Sequence, residues 1–154
     1  MKQEKGITLI ALVITIIVLL ILAGVTIAML SGSDSTPAKA NEAAQKNDIG
    51  TAKDQVYMWA QDAQSTAYVT AYVNSSSTST TSAGVIGQSV ASALKTKIGT
   101  SFPVGKATIT VQSTGSDGSY TAFAVKINTT DYEVTGTVDL TKSGVISWEN
   151  PANW

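Results

Sequence analysis

Ile7 to Leu30 is an unbroken stretch of about 24 residues with no charged side chain, rich in Ile, Leu and Val. At about 1.5 Å per residue, a helix of this length reaches about 36 Å, enough to cross the hydrocarbon core of a bilayer with some tilt. It is apolar on every side, so it needs lipid or other apolar helices around it. The rest of the 154-residue sequence amounts to about 120 residues, one small domain.

The stretch is about twice the length of a secretory signal's apolar region, and it ends Ala28-Met29-Leu30-Ser31-Gly32, a poor match to a small-residue cleavage site. A membrane anchor fits better. Lys2 and Lys5 lie just before it, and the positive-inside rule then holds the N-terminus in the cytoplasm and sends the remainder outward. Small residues at Ala11, Ala23, Gly24 and Ala28 allow close helix approach, although solitary membrane helices carry such residues as well.

The left edge of the stretch is Lys5-Gly6-Ile7-Thr8-Leu9-Ile10, with the glycine directly against the first apolar residue. This edge, followed by a long aliphatic helix, resembles the N-terminus of type IV prepilins and the related pseudopilins. The resemblance implies a leader at residues 1–6, a cut between Gly6 and Ile7 by the membrane prepilin peptidase, and N-methylation of Ile7. A glycine suits such a cut, since a missing Cβ lets an extended backbone come close to catalytic carboxylates. It further implies assembly through the helix at residues 7–30, with Ile7, Leu9, Ile10, Ala11, Leu12, Val13, Ile14, Ile17, Leu20, Ala23 and Gly24 as the assembly positions. The chain departs from the family in two places. Ile7 stands where Phe is usual, and Ala11 stands where most members carry a Glu that pairs with a neighbouring subunit's terminal amine. The implied partners are further copies of the chain in a helical filament, the peptidase, the assembly machinery and the membrane. The implied location is the cytoplasmic membrane for the precursor and the cell surface for the filament.

Composition limits the chemistry open to the remainder. Cysteine and histidine are both absent, which removes thiol nucleophiles, imidazole bases and the usual zinc ligands together. The expectation is no enzyme, no cofactor and no metal. The net charge is −1 and the chain has no arginine, so direct nucleic-acid binding has little electrostatic support.

After the break at Ser31 to Pro37, Thr36-Pro37 reads as an N-cap followed by proline at the first helical position. From Ala38 to about Val73, Ile49, Ala52, Val56, Trp59, Ala60, Ala63, Ala67 and Ala71 recur every three or four residues, with Lys46, Asp48, Lys53, Asp54 and Asp62 on other sides. This predicts an amphipathic helix packed on a sheet, weakened at Gly50 by about 1 kcal/mol relative to alanine. Tyr57, Trp59, Tyr68 and Tyr72 could line a ligand groove, but their helical spacing favours packing at the core and its boundary. Asn74 to Ser82 is nearly pure Ser and Thr and reads as an exposed loop, a place for O-linked sugar. Asn74-Ser75-Ser76 and Asn128-Thr129-Thr130 match the N-glycosylation pattern, which recurs by chance. Gly84 to Gly99 predicts a shorter helix with Val85, Val90, Leu94 and Ile98 on one face and Gly99 as its stop.

From Lys106 the period becomes two. Ala107, Ile109 and Val111 alternate with polar residues, as do Tyr132, Val134 and Val138, while Phe123, Val125 and Ile127 mark another strand and Val145 to Trp148 a last one. Short connections make this an antiparallel meander over residues 106–149. The expected fold class is α+β, a long N-terminal helix with an apolar first half and an amphipathic second half, packed on about four antiparallel strands. In the resemblance, residues 31–154 form the extracellular head. Asp117, Asp131, Glu133 and Asp139 are candidate calcium ligands only if loop ends bring them together, and Ser116-Asp117-Gly118-Ser119 reads as a turn rather than a nucleophile.

Overall fold

The computed structural model describes residues 4–32, 35–74, 83–116 and 119–149. Helix α1 runs Glu4–Ser31, α2 Thr36–Asn74 and α3 Ala83–Ile98. Strands β1 (Phe102–Val104), β2 (Ala107–Ser116), β3 (Ser119–Asn128), β4 (Glu133–Val138) and β5 (Ile146–Glu149) follow. The chain divides into two compact units, Met1–Ala43 and Ala44–Trp154.

In the first unit, helical hydrogen bonding stops at Gly32, whose carbonyl accepts from the Ser35 amide at 2.9 Å. The restart differs by one residue from the sequence expectation. Ser35, not Thr36, is the cap: its Oγ accepts from the Ala38 amide at 3.4 Å and its carbonyl accepts from the Lys39 amide at 3.0 Å. Pro37 therefore occupies the second helical position, where a missing N–H is equally harmless because the first-turn donors have no partner inside the helix.

In the second unit the sheet is a five-stranded meander ordered β1-β2-β3-β4-β5, antiparallel throughout. Its inner face carries Ala107, Ile109, Phe123, Val125, Ile127, Val134 and Val138, all buried. These residues form one core with Ile49, Ala52, Val56, Ala60 and Ala63 of α2 and with Ile86, Val90, Ala91, Leu94 and Ile98 of α3. Burial of each large aliphatic or aromatic side chain stabilises the fold by about 1.5–3 kcal/mol before entropy is counted. The expected stripe on α2 is thus observed, with Trp59 and Ala67 partly buried against the core.

Strand β1 has no period-2 signal, since three residues with a central proline read as a connection. It forms because Phe102 and Val104 pack on the core while Pro103 stays exposed on an edge strand, where a missing amide costs no ladder bond. Trp59 holds β1 in place, meeting Phe102 edge-on at 5.0 Å between ring centroids. Strand β3 also breaks strict alternation. Thr114 pairs with Ala122 but Gly115 pairs with Tyr120, so Thr121 is an extra residue. This bulge turns both Tyr120 and Phe123 inward, where their rings meet edge-on at 5.3 Å.

On α3 the expected face shifts by one residue. Val85 is 58% exposed, and Ile86 joins Val90, Leu94 and Ile98 in a strict four-residue series. The reason is Gly87, whose backbone lies so close to the β4–β5 loop that a Cβ would meet the carbonyl oxygens of Leu140 and Lys142 at 2.7 Å. That contact fixes the rotation of the helix. Gly99 ends α3 as expected, with φ of 63° and its amide donating to the Lys95 carbonyl at 2.9 Å.

Candidate assembly surface

Every described large side chain of α1, from Leu9 to Leu30, is exposed, including Leu12, Val13, Ile14, Ile17 and Leu20. Ile10 and the small residues Ala11, Ala23 and Gly24 share that exposure. Gly6 and Ile7 lie in the first turns of α1, and their side-chain surroundings fall outside the described residues. The polar side chains within the stretch are internally satisfied. Thr15 Oγ1 donates to the Leu12 carbonyl at 2.8 Å, and Thr26 Oγ1 donates to the carbonyls of Ala23 and Leu22 at 2.9 and 3.0 Å. A hydroxyl bonded to its own helix needs no water, so α1 offers lipid or a neighbouring helix a surface without open polar demands. Burying it removes a hydrophobic exposure of tens of kcal/mol as an upper estimate.

The head disposes of its polar groups differently. Gln45 is 1% exposed and clasps Asp131 twice, its Nε2 donating to the carboxylate at 2.6 Å and its Oε1 accepting from the Asp131 amide at 3.1 Å. Gln88 does the same to the main chain of Tyr120. Asp48 accepts from the Lys106 amide at 2.8 Å and so holds the β1–β2 turn. Lys46 and Lys53 do not simply face solvent. Their ammonium groups stand 5.5 Å from the ring centroids of Tyr132 and Trp148 respectively. The Lys53 pKa lies below its ordinary value because burial disfavours the charged ammonium.

The structure does not bring the candidate calcium ligands together. Asp131 is held by Gln45, and Glu133 pairs with Lys126 at 2.8 Å, both at the start of β4. Asp139 lies past the other end of β4, where its Oδ1 accepts from Thr141 Oγ1, the Thr141 amide and the Lys142 amide. Those bonds, the Thr141 hydroxyl first, hold its carboxyl below the ordinary carboxylate value. Asp117 falls outside the described residues, and among the described residues no group of three or more potential ligands stands together. Ser116 pairs with Ser119 at the end of the β2–β3 ladder, and the two residues of the expected turn between them lie outside the described residues. The Ser/Thr segment 75–82 lies outside the described residues.

Two concavities of the head bear on binding. A cleft of about 1010 Å³ spans β2, β3, β4 and the loop after β4, bordered by Gln112, Thr114, Ala122, Thr137, Leu140 and Ser147. A groove of about 480 Å³ runs between α2 and α3 and includes Trp59, Ala67, Ala71, Val85 and Ala93. Of the sequence's aromatic set, Trp59 packs against the core. Tyr57, Tyr68 and Tyr72 lie around the helix from the buried stripe and are half or more exposed, with the Tyr68 hydroxyl donating to Ser143 Oγ at 3.4 Å at the boundary with the β4–β5 loop.

No protein-family model, curated protein or solved structure matches the chain. The structure has an α+β fold and an N-terminal helix long and apolar enough to cross a membrane.

Gln45 and Gln88 escaped the sequence reading. Gln45 had a signal, since it falls on the helical stripe of Ile49, Ala52 and Val56. Gln88 had none, because its role depends on a strand more than thirty residues away, at a sequence separation of 32.

Proposed function

We propose that this chain is a structural subunit of a type IV pilus-like surface filament. It inserts with its N-terminus in the cytoplasm, is cut between Gly6 and Ile7, is methylated on Ile7, and assembles through α1 into a helical homo-oligomer that displays the head. The observation that carries the reading is the coincidence of Lys5-Gly6 with a helix that is exposed, uncharged and internally satisfied from Leu9 to Leu30. Ala11 removes the usual acidic registry contact, so subunits find register by packing. A pseudopilin of a secretion or DNA-uptake system follows from the same features.

Intact-mass analysis of sheared cell-surface material tests the proposal. A chain beginning at Ile7 is expected, lost when Gly6 is replaced by a bulky residue. Only Met1-starting chain, confined to membranes, overturns it.

A second reading has its own observation. The cleft of about 1010 Å³ on the sheet is large enough for a ligand, which fits a monomeric, membrane-anchored binding module. That reading requires indifference to Gly6 substitution.

A further inference from the structure

The bond cut in the proposed processing lies inside a helix. Helix α1 opens at Glu4, so Gly6 and Ile7 belong to its first turns. In a regular α-helix the carbonyls of Glu4, Lys5 and Gly6 accept from the amides of Thr8, Leu9 and Ile10. Hydrolysis adds one water across the Gly6–Ile7 amide: the C–N bond breaks, the water oxygen joins the Gly6 carbonyl carbon, and a proton goes to the Ile7 nitrogen. Catalytic carboxylates have to reach both the carbonyl and the attacking water within hydrogen-bond distance. A coiled backbone whose carbonyl is already bonded to the next turn withholds that bond, whereas an extended one, at about 3.3 Å per residue, presents it. The first turns of α1 therefore open before the cut.

The local sequence suits opening at this place. Glu4, Lys5 and Leu9 are strong helix formers, but Gly6-Ile7-Thr8 between them is a run of three weaker ones, a glycine followed by two β-branched residues. Unwinding from an end gives up helical bonds one at a time and breaks no interior turn. Leu9 and Ile10, the next residues to unwind, are 63% and 60% exposed, so no buried side chain is lost with them.

We infer that Gly6-Ile7-Thr8 is an unwinding element that sets the rate of processing, with Thr8 as a rate-determining position beyond the glycine. The peptidase takes the opened minority of chains, so the rate of cutting follows their population. The inference rests on the filament reading, specifically on its cut after Gly6. Gly6 then serves twice, admitting the backbone to the peptidase and weakening the helix, which is why Thr8 and Leu9 are the positions that isolate the second effect.

The test follows the appearance of Ile7-starting chain by intact mass after a pulse of synthesis in the cells that make the protein, paired with amide hydrogen exchange of the purified full chain in detergent micelles. Leu9→Gly should speed exchange at residues 8–10 and cutting together, by about three- to fourfold. Thr8→Ala should slow both by about two- to threefold, and the double variant should return close to wild type. Contact between Leu9 and the peptidase gives the opposite sign, since removing the side chain removes whatever it touches. Faster exchange in Leu9→Gly with unchanged or slower cutting overturns the inference, and the Ile7-starting chain then leaves the processing reading standing. Exchange at residues 8–10 of the wild type as fast as in an unstructured peptide also overturns it, because no helix is there to open. Absence of Ile7-starting chain from the wild type overturns the processing reading itself.

Discussion

The carboxamide of Gln88 pairs with both main-chain polar groups of Tyr120, Nε2 donating to the carbonyl at 2.8 Å and Oε1 accepting from the amide at 2.7 Å. It stands where another strand would. Strand β4 pairs with β3 only from Ala124 to Asn128, so Tyr120 lies on an overhang that α3 completes with a side chain.

Replacing Gln88 by Leu leaves a partly buried donor and acceptor without partners, at about 1–3 kcal/mol. Urea unfolding of the chain in detergent micelles should show the loss in the transition midpoint. Gln88→Glu should fall between Leu and wild type, since it keeps the acceptor and loses the donor.

Two helix glycines should respond to alanine with opposite signs. A Cβ at Gly50 meets nothing within 4 Å, so Gly50→Ala should stabilise by about 0.5–1 kcal/mol through helix propensity. At Gly87 the new methyl strikes the Leu140 and Lys142 carbonyls, and Gly87→Ala should destabilise by about 1–3 kcal/mol. Melting temperatures of the paired variants decide it; a stabilised Gly87→Ala would show that the loop is not seated as described.

Acid should loosen the β4–β5 loop. The Asp139 pKa is lowered in the folded chain, chiefly by the Thr141 hydroxyl and then the Thr141 amide. A depressed carboxyl contributes stability above its unfolded pKa, near the ordinary value of 3.8, and loses it as pH falls through the lower folded value. Asp139→Asn should flatten that acid limb in a stability–pH profile. Lys53 gives the alkaline counterpart. Its folded pKa is lowered from 10.5 by burial, so the charged form costs stability at neutral pH and the cost is relieved as pH rises through the folded value toward 10.5. Lys53→Met should remove that alkaline gain from the stability–pH profile.

A single charge at the centre of α1 should weaken the anchor without releasing it. Val18 is near the middle of the uncharged stretch and is exposed, and lysine there costs about 2.5–3.5 kcal/mol on insertion, well below the tens of kcal/mol that burial of the helix contributes as an upper estimate. Alkaline extraction of membranes should leave Val18→Lys chain membrane-bound, whereas lysine at Val18, Leu19, Leu20 and Ile21 together, at about four times that cost, should move the chain into the soluble fraction.

Legibility differed sharply along the chain. The stripe Ile49, Ala52, Val56, Ala60 and the alternation Val125, Ile127 were readable because burial on one face imposes a period on the sequence itself. β1 was not, since its three residues are a strand only because Trp59 supplies a surface for Phe102. The bulge at Thr121 and the rotation of α3 were equally hidden, the first a register shift within the β2–β3 hairpin and the second a close approach of Gly87 to the β4–β5 loop. The aromatic residues show the limit most plainly. Tyr57 and Trp59 are two positions apart in the sequence, yet one is exposed and the other meets Phe102.

The sequence by itself determined the apolar first helix, the glycine at its edge, the amphipathic second helix and the strand-rich end, because composition and period act locally. Tertiary structure decided which polar residues are buried, which tyrosines stay outside and which flank of α2 borders the groove with α3. Those outcomes depend on what lies across the core, where partners come from segments tens of residues apart and no local pattern records them.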